Sequence, residues 1–200
     1  VKDFNTITIF RHVFADMDAI GSQFGLKYYL ESAYPDKKIY CLGNDCPVSQ
    51  RNNVHMDVID DEVVASSLAI VLDTSNAARI DDERYQLAKK SIRIDHHVQV
   101  ETICDEEWID DKASATCELL ALYFQEKKVD IPVESALMLY LGLTADNIRF
   151  TTNNVRPATF DAAKYLFEQG VDVTKVEQLN FSKSMNDYKY ETVVRNHTIL

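Results

Sequence analysis

The chain has 200 residues, 46% hydrophobic and 26% charged, so one compact domain with a sizeable core is within reach. Its 32 acidic and 21 basic side chains leave a net charge of -11, which excludes a sequence-independent grip on long nucleic acid, since that grip runs on Lys and Arg neutralising phosphates. No apolar run approaches the roughly 18 residues of a membrane helix and the first residues do not read as a signal peptide, so no membrane partner is expected.

Strand and helix patterns alternate from the first residues. Residues 6–11 (TITIFR) are β-branched and apolar and predict a strand. Residues 19–32 carry Ile20, Phe24, Leu26, Tyr28 and Leu30 at helical spacing and stop at Tyr34-Pro35. Residues 38–42 (KIYCL) predict a short strand. Residues 68–72 (LAIVL) form a continuous apolar run, as expected of a parallel strand buried on both faces. A helix is expected over 82–90 and a strand over 91–95. This βαβα order predicts an α/β fold with a parallel sheet flanked by helices. From residue 114 the pattern turns helical, over 114–127, 133–144, 157–169 and 173–186. Pro157 suits a first helical turn and Gly170 the position just past a helix end. There is no internal repeat and no low-complexity segment. Cys41, Cys46, Cys104 and Cys117 fit neither a zinc ribbon nor a CxxC pair, and read as free thiols of a cytoplasmic protein.

Acidic and His residues gather where the predicted strands end. His12, Asp16 and Asp18 follow the first strand, and two carboxylates crowded beside an imidazole suggest a cation between them. A solvated loop with an Asp helix cap is the alternative. Asp73 closes LAIVL and serves equally as a cap or turn residue when read alone. Asp95, His96 and His97 close SIRI, a rarer grouping whose imidazoles and carboxylate suit Mn, Fe, Zn or Mg. Asp146 ends an apolar helix, where the negative end of the helix dipole disfavours an anion unless a cation is near; a solvated helix end is the other reading. Residues 114–118 (SATCE) read first as a helix start, whose small residues would also allow close approach to the site. Together these groups offer four carboxylates and at least one imidazole, enough for two divalent ions that activate a bridging water and clamp a phosphate. No GxSxG elbow, Walker A loop or Rossmann fingerprint competes.

The order HxxxDxD…DT…DHH…D resembles the DHH phosphoesterase superfamily, which includes the RecJ-like exonucleases. The stretches RHVFADMDAIGSQFGL, LDTSNAARIDDERY, RIDHH and ADNIRF look most like its NrnA branch of oligoribonucleases that also act on 3'-phosphoadenosine 5'-phosphate (pAp). That resemblance implies a metal-dependent phosphodiesterase and phosphatase whose partners are short RNA oligomers or pAp, with cyclic-dinucleotide hydrolysis or a non-catalytic nucleotide-binding domain as alternatives. It implies two Mn2+ ions, with Mg2+ or Co2+ as substitutes, and is compatible with a homodimer. His12 and Asp16 would hold one ion, Asp18, His96 and Asp146 the other, and Asp73 would bridge them. His97 would face the scissile phosphate, Asp95 would orient a neighbouring His, and Arg149 would contact substrate. The chain departs from the family at Asp146-Asn147-Ile148, where DTG is usual. The catalytic DHH domain is expected over 1–186, with 187–200 a linker towards a C-terminal substrate-binding (DHHA1) domain. The start on Val1 rather than Met fits a longer protein, and without the second domain the chain is expected to hold metals but grip substrate poorly.

Overall fold

The computed structural model describes residues 1–181, 189 and 192–194. Five strands form one parallel sheet: β1 (Thr6–Phe10), β2 (Lys38–Cys41), β3 (Leu68–Leu72), β4 (Lys90–Asp95) and β5 (Glu106–Ile109), in the order β2-β1-β3-β4-β5. The helices are α1 (Met17–Ala33), α2 (Pro47–Arg51), α3 (Asp61–Ala65), α4 (Thr116–Glu126), α5 (Val133–Asp146), α6 (Pro157–Glu168) and α7 (Val173–Phe181). Because the strands are parallel, their carboxyl ends share one edge. The order reverses between β1, which runs on to β2, and β3, which runs on to β4. Such a reversal opens a crevice at the carboxyl edge, the usual ligand position in open α/β sheets.

The period-two alternation of the strands builds two core layers. Ile7, Ile9, Ile70 and Leu72 face one side and pack in a cluster with Ile20 and Phe24 of α1, Leu120 of α4 and Leu139 of α5. Phe10, Ala69 and Val71 face the other and pack with Val64 of α3 and Tyr85. β3 is buried along its whole length, as its unbroken apolar run requires, and each buried Leu, Ile or Val contributes roughly 1.5–3 kcal/mol.

The second half is helical, as its pattern predicts. Pro157 opens α6, and Gly170, at φ +96°, follows its end. The expected helix over 82–90 is instead a 3-10 segment, Glu83–Leu87. Asp82 accepts from the Arg84 backbone and grips its guanidinium, while Lys89 already bonds Ser67 at the entrance to β4, so no room remains for a full helix. The short elements α2, α3 and β5 carry too little periodicity to be predicted. β5 is a four-residue edge strand whose side chains are all partly or largely exposed. The predicted residues 182–186 of the last helix and most of 187–200 lie outside the described residues, and so does the boundary between them. All four cysteines are free. Among the described residues no helix is long and apolar enough to cross a membrane.

Candidate metal centre

α1 and α5 pack against each other along glycines. A Cβ on Gly21 would stand 2.5 Å from the Met138 carbonyl oxygen, and one on Gly142 would stand 2.4 Å from Cys117 Sγ and 3.1 Å from the Asp18 Cα. Only hydrogen fits there, so the start of α1, the start of α4 and the end of α5 converge. Asp18, in the first turn of α1, is 1% exposed and reaches the start of α4: Thr116 N donates to its Oδ2 at 2.6 Å and Cys117 N to its Oδ1 at 3.0 Å. The residue before α4, Ala115, has no side chain that can cap, so Asp18 caps α4 from another part of the chain. Asp16 caps α1 through Ala19 N at 3.0 Å and leaves its other oxygen towards His12.

Asp73 follows β3 in a left-handed backbone conformation, φ 56°, which a non-glycine residue adopts at a cost of about 1–3 kcal/mol and which marks functional sites. It is 1% exposed and lies between two imidazoles. His12 Nε2 is 3.4 Å from its Oδ2 and His96 Nε2 is 3.4 Å from its Oδ1. His12 Nε2 also lies 3.7 Å from Asp16 Oδ2; His96 Nε2 lies 3.4 Å from Asp146 Oδ2 and 3.8 Å from Asp18 Oδ2. His12 Nδ1 donates to the Val13 carbonyl at 2.6 Å and His96 Nδ1 faces the Ala113 carbonyl at 3.3 Å, so each ring turns Nε2 towards the carboxylates.

Three groups of side chains bring one ligand atom each to within 4.8 Å of one another: His12, Asp16 and Asp73; Asp18, His96 and Asp146; and Asp73, His96 and His97. His97 sits at the rim. Its Nδ1 donates to Asp95 Oδ1 at 2.8 Å and stands 3.7 Å from Asp73, and the carboxylate of Asp95 is wholly buried beneath it.

The electrostatics follow from this crowding. Burial, with the nearby Asp73 and Asp146 charges, pushes Asp18 well above the usual carboxylate range. Burial also raises Asp146, to about 6. Burial works against charge on His12 and His96, but Asp16 and Asp73 outweigh it at the first, and Asp73, Asp18 and Asp146 at the second, so both rise to about 10. Asp73 is also penalised by burial, yet the two imidazoles hold it far below the usual range. A donor set of carboxylate oxygens and imidazole nitrogens suits divalent Mn, Fe, Zn or Mg, and so the residues present fit a pair of such ions.

Arg149 is not drawn into this cluster. Its guanidinium pairs with Glu177 at 2.9 Å and lies 4.2 Å over the Phe181 ring of α7. It belongs to a left-handed run, Ile148, Arg149 and Phe150 at φ 48°, 58° and 65°, which starts just after Asn147, the residue that follows α5. Asn147 holds that run: its Oδ1 accepts from Phe150 N at 2.8 Å and its amide nitrogen donates to Ser114 Oγ at 3.3 Å.

Two further contributions come from the SATCE stretch. Thr116 donates its hydroxyl to Asp73 Oδ1 at 3.1 Å besides offering its backbone to Asp18. Glu118, fully buried, accepts from Ser114, Thr159 and Arg156 and ties α4 to α6 behind the cluster. The SATCE stretch is thus both the start of α4 and part of the wall of the site.

Comparison with known proteins places this arrangement. An uncharacterized protein of Mycoplasma pneumoniae is 33% identical over 98% of this chain and 61% of its own length. The bifunctional oligoribonuclease and PAP phosphatase NrnA of Bacillus subtilis is 36% identical over 82% of this chain and 53% of its own. The chain therefore spans about three fifths or less of the length of these relatives. The crystal structure of an exopolyphosphatase-related protein from Bacteroides fragilis shares the fold, with a TM-score of 0.87 at 22% identity over the whole of this chain and 63% of that one. Residues 6–143 match the DHH family, N-terminal domain, and on that match the chain belongs to the DHH family.

Proposed function

We propose that this chain is the catalytic unit of a metal-dependent phosphoesterase that hydrolyses short oligoribonucleotides to 5'-mononucleotides and removes the 3'-phosphate of pAp. The observation that carries it is the position of Asp73, buried at the strand-order reversal with one oxygen towards His12 and the other towards His96. The likeness to the B. subtilis oligoribonuclease and PAP phosphatase supports the substrate class.

In this reading His12, Asp16 and Asp73 hold one Mn2+, and Asp18, His96, Asp146 and Asp73 the other. Two such cations, when bound, lower the pKa of water and neutralise phosphate charge. The protein's own groups prepare the site. The Val13 and Ala113 carbonyls fix the ring orientations of His12 and His96. Asp95 fixes His97 through Nδ1, so that Nε2 is turned away from Asp95 and available to a phosphate oxygen. Thr116 and the start of α4 hold Asp73 and Asp18 against their mutual repulsion. The proposal includes a catalytic domain over 1–186 and a linker over 187–200 towards a substrate-binding domain, a division that rests on the family resemblance.

The test is turnover of a two- to five-nucleotide RNA and of pAp with Mn2+ added and then chelated. Metal-dependent release of mononucleotide or of phosphate is expected; absence of both refutes the reading. Faster cleavage of a cyclic dinucleotide than of the linear dinucleotide would reassign the substrate to that class.

A further inference from the structure

The loop between β1 and α1 carries a feature that the metal centre does not use. Phe14 stands between His12 and Asp16, is 96% exposed, and is held at φ 53°. One exposed apolar side chain is ordinary, and Val58 is exposed as fully without further meaning. Phe14 differs because the exposed ring is also held in a left-handed backbone conformation, which costs an aromatic residue about 1–3 kcal/mol and is typically retained at functional sites. It also lines a cavity of about 600 Å³, within the size range of small-molecule sites (roughly 300–1,000 Å³).

The far wall of that cavity is the loop from Asn44 to Val48, and it is built rigidly. Arg11, 1% exposed, donates to the His12 carbonyl at 2.9 Å, to Asp81 Oδ2 at 2.6 Å and to the Asn44 carbonyl at 2.5 Å. Asp81 in turn accepts from the backbone and side-chain amides of Asn44. Gly43, at φ +127°, is needed because a Cβ there would stand 2.8 Å from Asp81 Oδ2. One buried ion pair thus locks the residue before His12 to the opposite rim. The lining is Val13, Phe14, Ala15, Pro47 and Val48 with the polar edges of Asn44 and Asp45. Acidic Asp45 and the already neutralised Arg11 disfavour a phosphate here and favour a flat, uncharged ring.

We propose that this groove is a nucleobase subsite in which Phe14 stacks on the base of the nucleotide whose phosphate lies at the metal centre. The proposal rests on the phosphoesterase reading and adds to it the part of the substrate that is not phosphate. A base–aromatic stack is tolerant of base identity, so the subsite selects for nucleotides over other phosphate esters without reading sequence.

The experiment uses the full chain with Mn2+ and compares pAp with ribose 3,5-bisphosphate, which lacks the base. Phe14→Ala should lower the ratio of kcat/KM for pAp to that for the base-free ester about tenfold, mainly through KM, and Phe14→Tyr should restore the ratio. An equal loss on both esters, or no change in the ratio, overturns the proposal. A second measurement does not need turnover. Phe14→Trp should give fluorescence that adenosine monophosphate quenches and ribose 5-phosphate does not, beyond what Trp108 shows in the unmodified protein. Equal quenching by both, or none, also overturns the subsite. Failure of all metal-dependent turnover with base-selective quenching intact would instead reject the phosphoesterase reading and leave the base site standing.

Discussion

The two halves of the candidate metal centre are built differently. Asp18, His96 and Asp146 stand against α1, α4 and α5, and Asp18 is fixed by two backbone N–H groups. His12 and Asp16 stand on a loop, and the Asp16 side chain is 57% exposed. The first half is a pocket walled by helix ends whose carboxylates burial pushes towards protonation; the second meets solvent only through Asp16, since His12 is buried. Asp73 belongs to both. The difference teaches how a carboxylate is fixed: two N–H groups of another helix hold both oxygens of Asp18, whereas one N–H of its own helix holds a single oxygen of Asp16. It leads us to expect one tightly held and one exchangeable cation.

Removing the shared group should erase the comparison. Asp73→Asn is expected to lower turnover about 1,000-fold, because transition-state charge stabilisation by a metal pair is worth several kcal/mol and each 1.36 kcal/mol is a decade. Retention of more than a tenth of the activity would show that the halves do not depend on Asp73.

Breaking the halves one at a time sharpens it. His96→Ala should abolish the tight Mn2+ site in calorimetry and leave a single weak one. Asp16→Ala should keep the tight site and weaken the other roughly 10–100-fold, on the scale seen when groups supporting a metal are removed. Equal damage from both variants would mean that the sites form as one unit.

The proton inventory gives the next effect. At pH 8 His12 and His96, both raised to about 10, carry protons in the metal-free chain, while Asp146, raised to about 6, does not. Filling both sites should release at least the two imidazole protons, with any proton that burial keeps on Asp18 in addition, and affinity should climb by roughly tenfold per pH unit for each proton displaced. The sign for stability is opposite. A histidine raised from 6.5 to about 10 contributes fully below 6.5, and its contribution is lost as pH rises through about 10. Metal-free protein should therefore lose thermal stability across that window while metal-loaded protein does not. Calorimetry in buffers of different ionisation enthalpy counts the protons, and thermal melts at several pH values read the stability.

Smaller effects test the supports. Thr116→Val keeps the backbone donor to Asp18 but removes the hydroxyl from Asp73, and about a tenfold loss in kcat/KM is expected, rescued by Thr116→Ser. Arg149→Ala should change kcat/KM by only a few-fold, since its guanidinium is engaged with Glu177 and Phe181. A larger loss, carried in KM, would bring Arg149 back to the substrate contact that the family resemblance implies.

Long elements were legible from the chain. LAIVL is a buried strand because no polar residue interrupts it, and α1, α4, α5 and α6 follow their apolar spacing to within a few residues. The segment after Asp82 was misread because Arg84 looks like a helix residue but is recruited by Asp61, Asp82 and the Ile59 carbonyl. The candidate ligands stood out as acids and histidines at strand ends. The SATCE stretch was noticed without its contact to Asp73; Asn147 and Arg11 did not stand out as supports, because an asparagine and an arginine acquire such roles only from partners 33 and 70 positions away.

By itself the sequence determined which residue types lie at the ends of the strands and which faces of the helices are apolar, since both depend on local order and periodicity. Only the tertiary structure decided that Asp73 lies between His12 and His96, that α4 begins on Asp18, and that Phe14 is turned out beside a locked wall. Those facts depend on strand order and on glycine-lined helix contacts, which bring together residues that spacing along a chain cannot relate.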